Sequence, residues 1–246
     1  MDNKQTFKHL KVFKLFGVDK DVLERFLAKI NANYEDVARV DFISKNLDAR
    51  LSIRYDSETV LKYIAFDIMD KYKDNIYSDK NISLEKCLFE HLKFQKKVIS
   101  VAESLTGGLI SDRIIGIDGA SSVFFEGIVA YSNESKVSRL NVKLNTIKNY
   151  GSVSDEICYE MAAGLLETNN CDIAISTTGI AGPTGGTDKK PIGLTYIGVG
   201  SKDGIHIYKH IFEGERQEIR QNAADFALYY AINHLKGIGK ISNLKI

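Results

Sequence analysis

The sequence predicts an α/β protein: a three-layer α/β/α domain with a mixed sheet, preceded by a small α+β module. Strand and helix patterns alternate along the chain, as they do where helices cover a sheet. Glycine is unevenly spread, because only Gly17 lies in the first 100 of the 246 residues and the remainder hold 18. Since glycine permits tight turns and close approach of the backbone to a ligand, we expect the binding chemistry after residue 100.

The first module, residues 1–82, is predicted from apolar residues that recur at helical spacing in some segments and alternate as in strands in others. A strand is predicted over 10–16 and a helix over 19–30, with acidic residues near its positive end. Alternating apolar residues at 40–43 and 49–54, around a turn-like 45–48, predict a hairpin. A second helix is predicted from apolar residues at helical spacing, before a polar stretch: Leu61, Ile64, Ala65 and Ile68, then 74–81.

The second domain, residues 83–246, is predicted to begin with a helix that Ser83 caps. The predicted strands are 98–102, 124–131, 173–176, 192–200 and 205–212. The predicted helices are 109–117, one after Tyr131, 154–168 and 215–235. Asp203-Gly204 is a hairpin signal between the last two strands. That hairpin adds antiparallel strands to the sheet and makes it mixed.

The charge balance excludes the simplest nucleic-acid and membrane binders. The chain has 33 Lys and Arg against 32 Asp and Glu, a formal net charge of +1. Nucleic acids and anionic membranes select for a basic excess. We therefore expect neither as a partner.

The cysteines and the N-terminus indicate a cytoplasmic protein. Cys87, Cys158 and Cys171 are odd in number and show no CxxC spacing, which is typical of reduced thiols and makes a zinc site unexpected. The first residues mix charges with apolar positions, and no window of 18 residues is uninterruptedly apolar. We expect no metal, no targeting segment and no membrane span.

The first candidate site follows a predicted strand, at Ser104, Thr106, Gly107 and Gly108. Ligands of α/β sheets bind outside the carboxyl ends of the strands, so a hydroxyl here faces the expected pocket. The start of the next helix adds free N–H groups suited to an anion or oxyanion. The alternative is that Ser104 or Thr106 only caps the helix.

The second candidate site contains Tyr131 and Lys136, at another junction of strand and helix. A lysine early in a helix meets the positive end of the dipole, which favours a lowered pKa. A neutral lysine can act as general base for a serine, and Tyr131 can orient the proton. The alternative is an exposed lysine and a core tyrosine.

The third candidate site is the glycine loop 178–186, which begins Thr178-Gly179 and includes Gly182. Successive N–H groups in such a loop form a nest for phosphate or carboxylate. Neither GxxxxGK[ST] nor GxGxxG occurs, so ATP binding by a Walker A loop is not expected. Arg216 and Arg220, one helical turn apart, either clamp a phosphate or pair with Glu215 or Glu218.

Five ordered segments resemble the C-terminal domain of the CinA (competence/damage-inducible protein A) family, the nicotinamide-nucleotide amidases. They are VAESLTGGLIS, GASSVFFEGIVAYSNESK, YGSVS, TTGIAGPTGGTDKKPIGLTYIGV and FEGERQEIR, within about residues 83–237. Residues 8 to about 80 resemble the KH-like middle module of full-length members. We expect the family's large N-terminal molybdopterin-binding-like domain, associated with ADP-ribose hydrolysis, to be missing. The family usually has Cys at Leu105 and more glycine around Thr184.

The resemblance implies deamidation of nicotinamide mononucleotide to nicotinate mononucleotide and ammonia, in pyridine nucleotide salvage, without metal or cofactor. Ser104 would be the nucleophile, Lys136 its base and Tyr131 an assistant. The remaining candidates would bind substrate: Thr106, Gly107, Gly108, Thr178, Gly179, Gly182, Arg216 and Arg220.

Two alternatives stay open: a non-catalytic nucleotide-binding or regulatory protein linked to competence, and a Ser-Lys amidase for another carboxamide. KH domains clamp RNA with a GxxG loop, and Gly17 is alone in the first module. For that module we therefore expect a role in assembly, and for the chain a homo-oligomer.

Overall fold

A computed structural model describes residues 7–168 and 170–238. The chain divides into two compact units, one up to Ser83 and one from Leu84 onward. Along the described residues, none of the helices combines the length and the apolar character needed to cross a bilayer.

The first unit has the element order βαββαβ. Its elements are β1 (His9–Phe16), α1 (Lys20–Tyr34), β2 (Ala38–Lys45), β3 (Asp48–Tyr55), α2 (Glu58–Tyr72) and β4 (Ile76–Ser78). The strands form an antiparallel sheet in the order β2-β3-β1-β4. This arrangement is the ferredoxin-like split βαβ. The predicted α+β character is confirmed.

Local signals explain most of these elements. The side chain of Asp19 accepts from Val22 N at 2.9 Å and caps α1, and Ser57 caps α2 in the same way. Asn46 has φ of 53° in the predicted hairpin turn, a conformation that asparagine tolerates. The three-residue β4 was not predicted, because it lies in the polar stretch and is too short to show alternation.

The second unit contains the remaining elements. They are α3 (Leu84–Gln95), β5 (Ile99–Glu103), α4 (Leu109–Ile115), β6 (Phe124–Val129), α5 (Asn133–Leu140), α6 (Leu144–Tyr150), α7 (Asp155–Thr168), β7 (Ile173–Gly179), β8 (Leu194–Ser201), β9 (Gly204–Ile211) and α8 (Arg216–Leu235). The sheet order is β6-β5-β7-β8-β9. β5 is parallel to β6 and β7, whereas β8 is antiparallel to β7 and to β9. The predicted mixed sheet is confirmed.

Helices cover both faces of this sheet. α5, α6 and α7 lie on one face, and α3, α4 and α8 lie on the other. α6 was not predicted, because it buries no residue and so leaves no apolar pattern. β7 is longer than predicted and includes the first residues of the glycine loop, Thr178 and Gly179. The carboxyl ends of β5, β6 and β7 therefore meet at one edge, where the three candidate sites converge.

Candidate active site

Ser104 and Lys136 are in direct contact at this edge. Ser104 follows β5 directly, and Lys136 is the fourth residue of α5, which follows the neighbouring strand β6. Lys136 Nζ donates a hydrogen bond to Ser104 Oγ at 3.1 Å. The two residues lie 32 positions apart in sequence, and the parallel pairing of β5 with β6 brings them together.

Lys136 is buried, and its surroundings disfavour its charge. The residue is 1% exposed, so the alternative of a solvated surface lysine is wrong. Nζ also donates to the carbonyl oxygens of Ala130 at 2.8 Å and Tyr131 at 3.2 Å. Burial lowers the pKa of Lys136 to about 8. The predicted decrease of the pKa is present, and burial is its cause.

Two adjoining cavities open around this pair. The smaller, about 150 Å³, we call the reaction cavity. It is lined by Ser104, Leu105, Tyr131, Lys136, Ser152, Val153, Thr178, Gly179, Ala181 and Arg216. The larger, about 440 Å³, we call the loop cavity. It is lined by Tyr131, Gly151, Ser152, Val153, Gly179, Ile180, Ala181, Gly182, Thr184, Gly185, Thr187, Lys190 and Arg216.

The lining of the loop cavity favours an anion. Its charged side chains are Lys190 and Arg216, and none of the carboxylates in the described part of the chain borders it. Six residues line both cavities: Tyr131, Ser152, Val153, Gly179, Ala181 and Arg216. A ligand with an anionic end and a neutral reactive end can therefore extend from the loop cavity to Ser104.

Tyr131 borders both cavities with a side chain that is largely exposed. The residue is 66% exposed, so the alternative of a core tyrosine is wrong. The contact with Lys136 comes from the Tyr131 carbonyl oxygen, not from the phenol. Its predicted role as an assistant through the hydroxyl stays a prediction.

The glycine loop contributes three predicted residues to the cavities. Thr178 is buried, lines the reaction cavity, and donates from Oγ1 to the carbonyl oxygen of Ser152 at 2.8 Å. Gly179 lines both cavities, and Gly182 lines the loop cavity. A Cβ at Gly179 would lie 2.6 Å from the carbonyl oxygen of Leu194, so the close packing of β7 against β8 requires glycine there.

Thr106, Gly107 and Gly108 line neither cavity. Thr106 is fully buried, and its Oγ1 is 2.8 Å from Thr177 Oγ1. The N–H of Gly108 donates to Glu103 Oε2 at 2.9 Å. The expectation that Gly108 offers a free N–H at the start of the helix is therefore wrong.

Glu103 is one of the residues that sequence reasoning missed. Its buried carboxylate accepts four hydrogen bonds: from Gly108 N at 2.9 Å, Ile110 N at 3.1 Å, Ser111 N at 2.9 Å and Ser111 Oγ at 2.6 Å. It fills the start of α4 in place of a cap by Ser104 or Thr106. The available signal in the sequence was an acidic residue at the end of an apolar strand, just before the glycines. Glu103 thereby fixes the backbone that carries Ser104.

The two arginines have different positions. Arg216 lines both cavities, and its Nη1 donates to the carbonyl oxygen of Gly182 at 2.6 Å. Arg220 lines neither, and donates to the carbonyl oxygens of Leu105 at 3.0 Å and Thr106 at 2.8 Å. The predicted two-arginine clamp is therefore wrong, because Arg220 supports the Ser104 loop. Their predicted pairing with Glu215 or Glu218 is absent from the ion pairs of the described residues.

Comparison with known proteins identifies the family to which the chain is similar. The profile described as CinA C-terminal domain matches residues 81–235. A protein of Caldicellulosiruptor saccharolyticus, named for competence-damage induction, is 40% identical over 89% of this chain and 54% of its own length. A CinA-like protein of Kosmotoga olearia is 38% identical over the same shares. This chain thus spans about half the length of these curated relatives.

Solved structures show the same likeness for the second unit. A CinA superfamily protein of Klebsiella pneumoniae is 27% identical with a TM-score of 0.61, over 63% of this chain and 96% of its own. The competence/damage inducible protein CihA of Agrobacterium tumefaciens is 31% identical with a TM-score of 0.58, over 64% and 94%.

Proposed function

The chain belongs to the CinA family, and from that premise we propose that it is an amidohydrolase that converts nicotinamide mononucleotide to nicotinate mononucleotide and ammonia. One observation carries the proposal: a buried lysine with a pKa of about 8 that contacts a serine at the end of a strand. Serine needs an adjacent base to become a nucleophile, and a neutral lysine is such a base.

The contacts of Lys136 suit this role in both protonation states. As an ammonium, its three N–H groups match Ser104 Oγ and the carbonyl oxygens of Ala130 and Tyr131. As a neutral amine, the two carbonyl oxygens retain its two N–H groups, and the lone pair faces the Ser104 hydroxyl. The amine then accepts the serine proton without moving.

The reaction proceeds in two balanced steps. Ser104 Oγ attacks the carboxamide carbon as its proton passes to Lys136, and that proton then transfers to the departing nitrogen. The C–N bond breaks, ammonia leaves, and an ester to Ser104 remains. Water, deprotonated by Lys136, attacks the ester and releases the carboxylate, while the proton returns to Ser104. No metal or cofactor enters this scheme.

The oxyanion needs N–H donors near Ser104. Glu103 already accepts from Gly108, and the N–H of Ser104 donates to Thr177 O at 3.0 Å. The N–H groups of residues 105–107 donate no hydrogen bond within the described part of the chain. Of these three residues, Leu105 lines the reaction cavity, so we assign the oxyanion to its N–H group, with Arg220 holding the carbonyl oxygens of Leu105 and Thr106 in place.

We assign the nucleotide phosphate to the loop cavity, because the guanidinium of Arg216 borders it and no carboxylate of the described residues does. Arg216 is the group placed to contact it. The carboxamide then reaches the reaction cavity across the wall that the two cavities share.

The decisive experiment measures ammonia release from nicotinamide mononucleotide by the wild-type protein and by Ser104→Ala, after dialysis against a chelator. Release by the wild type alone supports the proposal. Nicotinamide and its riboside are the matched substrates, and equal rates on all three would favour an amidase for another carboxamide. If neither protein releases ammonia while the nucleotide still raises the melting temperature, the non-catalytic regulatory alternative replaces it.

A further inference from the structure

Lys190 joins two segments that wall the loop cavity. Its Nζ donates to the carbonyl oxygens of Tyr150 and Val153, each at 2.6 Å. We call residues 150–153 the rim segment, which connects the end of α6 to the start of α7. Ser152 and Val153 of this segment line both cavities. Lys190 therefore connects the loop that follows the glycines to the wall shared by the two cavities.

The backbone around Lys190 is itself held. The amide of Thr187 donates to Lys190 O at 2.8 Å, and the amide of Lys190 donates to Thr187 O at 3.0 Å. Thr187 Oγ1 accepts from the same Lys190 amide at 3.1 Å. These bonds close a tight turn with Asp188 and Lys189 at its tip. The lysine side chain thus extends from a fixed base rather than from a free loop.

The rim segment is shaped to receive this side chain. Gly151 has φ of +75°, and a Cβ there would lie 3.1 Å from Lys190 Nζ. Glycine thus supplies both the backbone conformation and the space for the ammonium. On its other side the segment is tied by Thr178, which donates to Ser152 O. Two ties from different elements, Thr178 and Lys190, hold the wall.

We propose that Lys190 is a positioning residue for the reaction proposed above. Its charge satisfies backbone carbonyl oxygens, and it fixes Ser152 and Val153 so that the carboxamide is held against Ser104. Misplacing such a wall by about 1 Å costs up to ~100-fold in rate. We expect Lys190→Met to lower kcat/KM by about 10- to 100-fold, and Lys189→Met, one residue away on the exposed tip, to leave it unchanged.

The first test does not depend on turnover. Amide hydrogen exchange in the full chain is measured over residues 150–154 for the wild type, Lys190→Met and Lys189→Met. Faster exchange there in Lys190→Met alone is the expected result. Unchanged exchange in that variant would overturn the proposal even if the protein has no amidase activity, whereas a wild type without activity but with the expected exchange pattern would remove only the proposed function.

The second test separates positioning from direct contact with phosphate. If Lys190 positions the wall, Lys190→Met slows the riboside and the mononucleotide by the same factor. A loss confined to the mononucleotide would make Lys190 a phosphate ligand and overturn the positioning role. Aminoethylation of Lys190→Cys rebuilds a lysine-like side chain and should restore both rates and the slow exchange. The native Cys87, Cys158 and Cys171 are buried, so wild type treated in the same way is the control.

Discussion

The reaction cavity and the loop cavity share a wall, but their cationic side chains differ in burial. In the reaction cavity, Lys136 is 1% exposed and its pKa falls to about 8. Lys190 of the loop cavity is half-buried, and Arg216, which lines both cavities, is exposed. Both donate to backbone carbonyl oxygens. Lys136 also donates to two backbone carbonyl oxygens, so the difference between the lysines lies in burial, which makes Lys136 a base. The difference in solvent access thus distinguishes the proposed base, Lys136, from the cations that border the loop cavity.

The largest expected effect of the difference is on Lys136. Lys136→Met removes the base and should lower kcat by about 10³-fold or more. Methionine fills a similar volume and removes a buried charge, which offsets the loss of the hydrogen bonds to the carbonyl oxygens of Ala130 and Tyr131. The free energy of unfolding should therefore change by no more than about 1 kcal/mol. Ammonia release and urea unfolding measure the two quantities. Lys148→Met, on an exposed helix position, is the matched control, and a near-normal rate in Lys136→Met would remove lysine as the base.

The pH dependence tests the same cavity without a mutation. Only neutral Lys136 accepts a proton, so kcat/KM should rise about tenfold per pH unit below 8 and level off above it. The profile is measured from pH 6.5 to 9.5, where a phosphate monoester is largely dianionic. Arg216→Met should retain the midpoint, because the pKa of Lys136 is lowered by burial. A midpoint near 10.5, the ordinary lysine value, would contradict a base made by burial.

The sequence predicted the reaction cavity better than the loop cavity. Ser104 and Lys136 each follow a predicted strand, so both were expected near the carboxyl edge of the sheet. Their direct contact also requires β6 to lie next to β5, which the sequence patterns did not show. The two arginines on α8 have identical sequence signals, yet only Arg216 borders the cavities. Helical spacing shows that the two arginines share a face of α8, but it does not show which part of the fold each of them contacts. Lys190 was not predicted, because its partners are backbone carbonyl oxygens, which every residue has and which a sequence pattern therefore cannot reveal.

Replacing each of the two arginines tests the same comparison, and the expected effects are of intermediate size. Arg216→Met should raise KM for the mononucleotide about tenfold with little change in kcat, because it removes an uncompensated cation from the loop cavity. Arg220→Met should instead lower kcat and the melting temperature, because it frees the carbonyl oxygens of Leu105 and Thr106. Steady-state kinetics with thermal unfolding distinguishes the two. Identical KM increases in both variants would restore the two-arginine clamp.

The smallest expected effect is at Glu103, which supports the reaction cavity without lining it. Glu103→Gln replaces one acceptor oxygen by an N–H₂ group facing the amides and the hydroxyl of α4 that now donate to it. Leaving buried donors unpaired should lower the free energy of unfolding by about 1–3 kcal/mol. The rate should fall only a few-fold, because Ser104 and Lys136 remain. Urea unfolding against Glu167→Gln, an exposed carboxylate, measures the loss. A large loss of rate with an unchanged free energy of unfolding would instead show that Glu103 takes part in the reaction. The reacting groups would then include the last residue of β5 as well as Ser104.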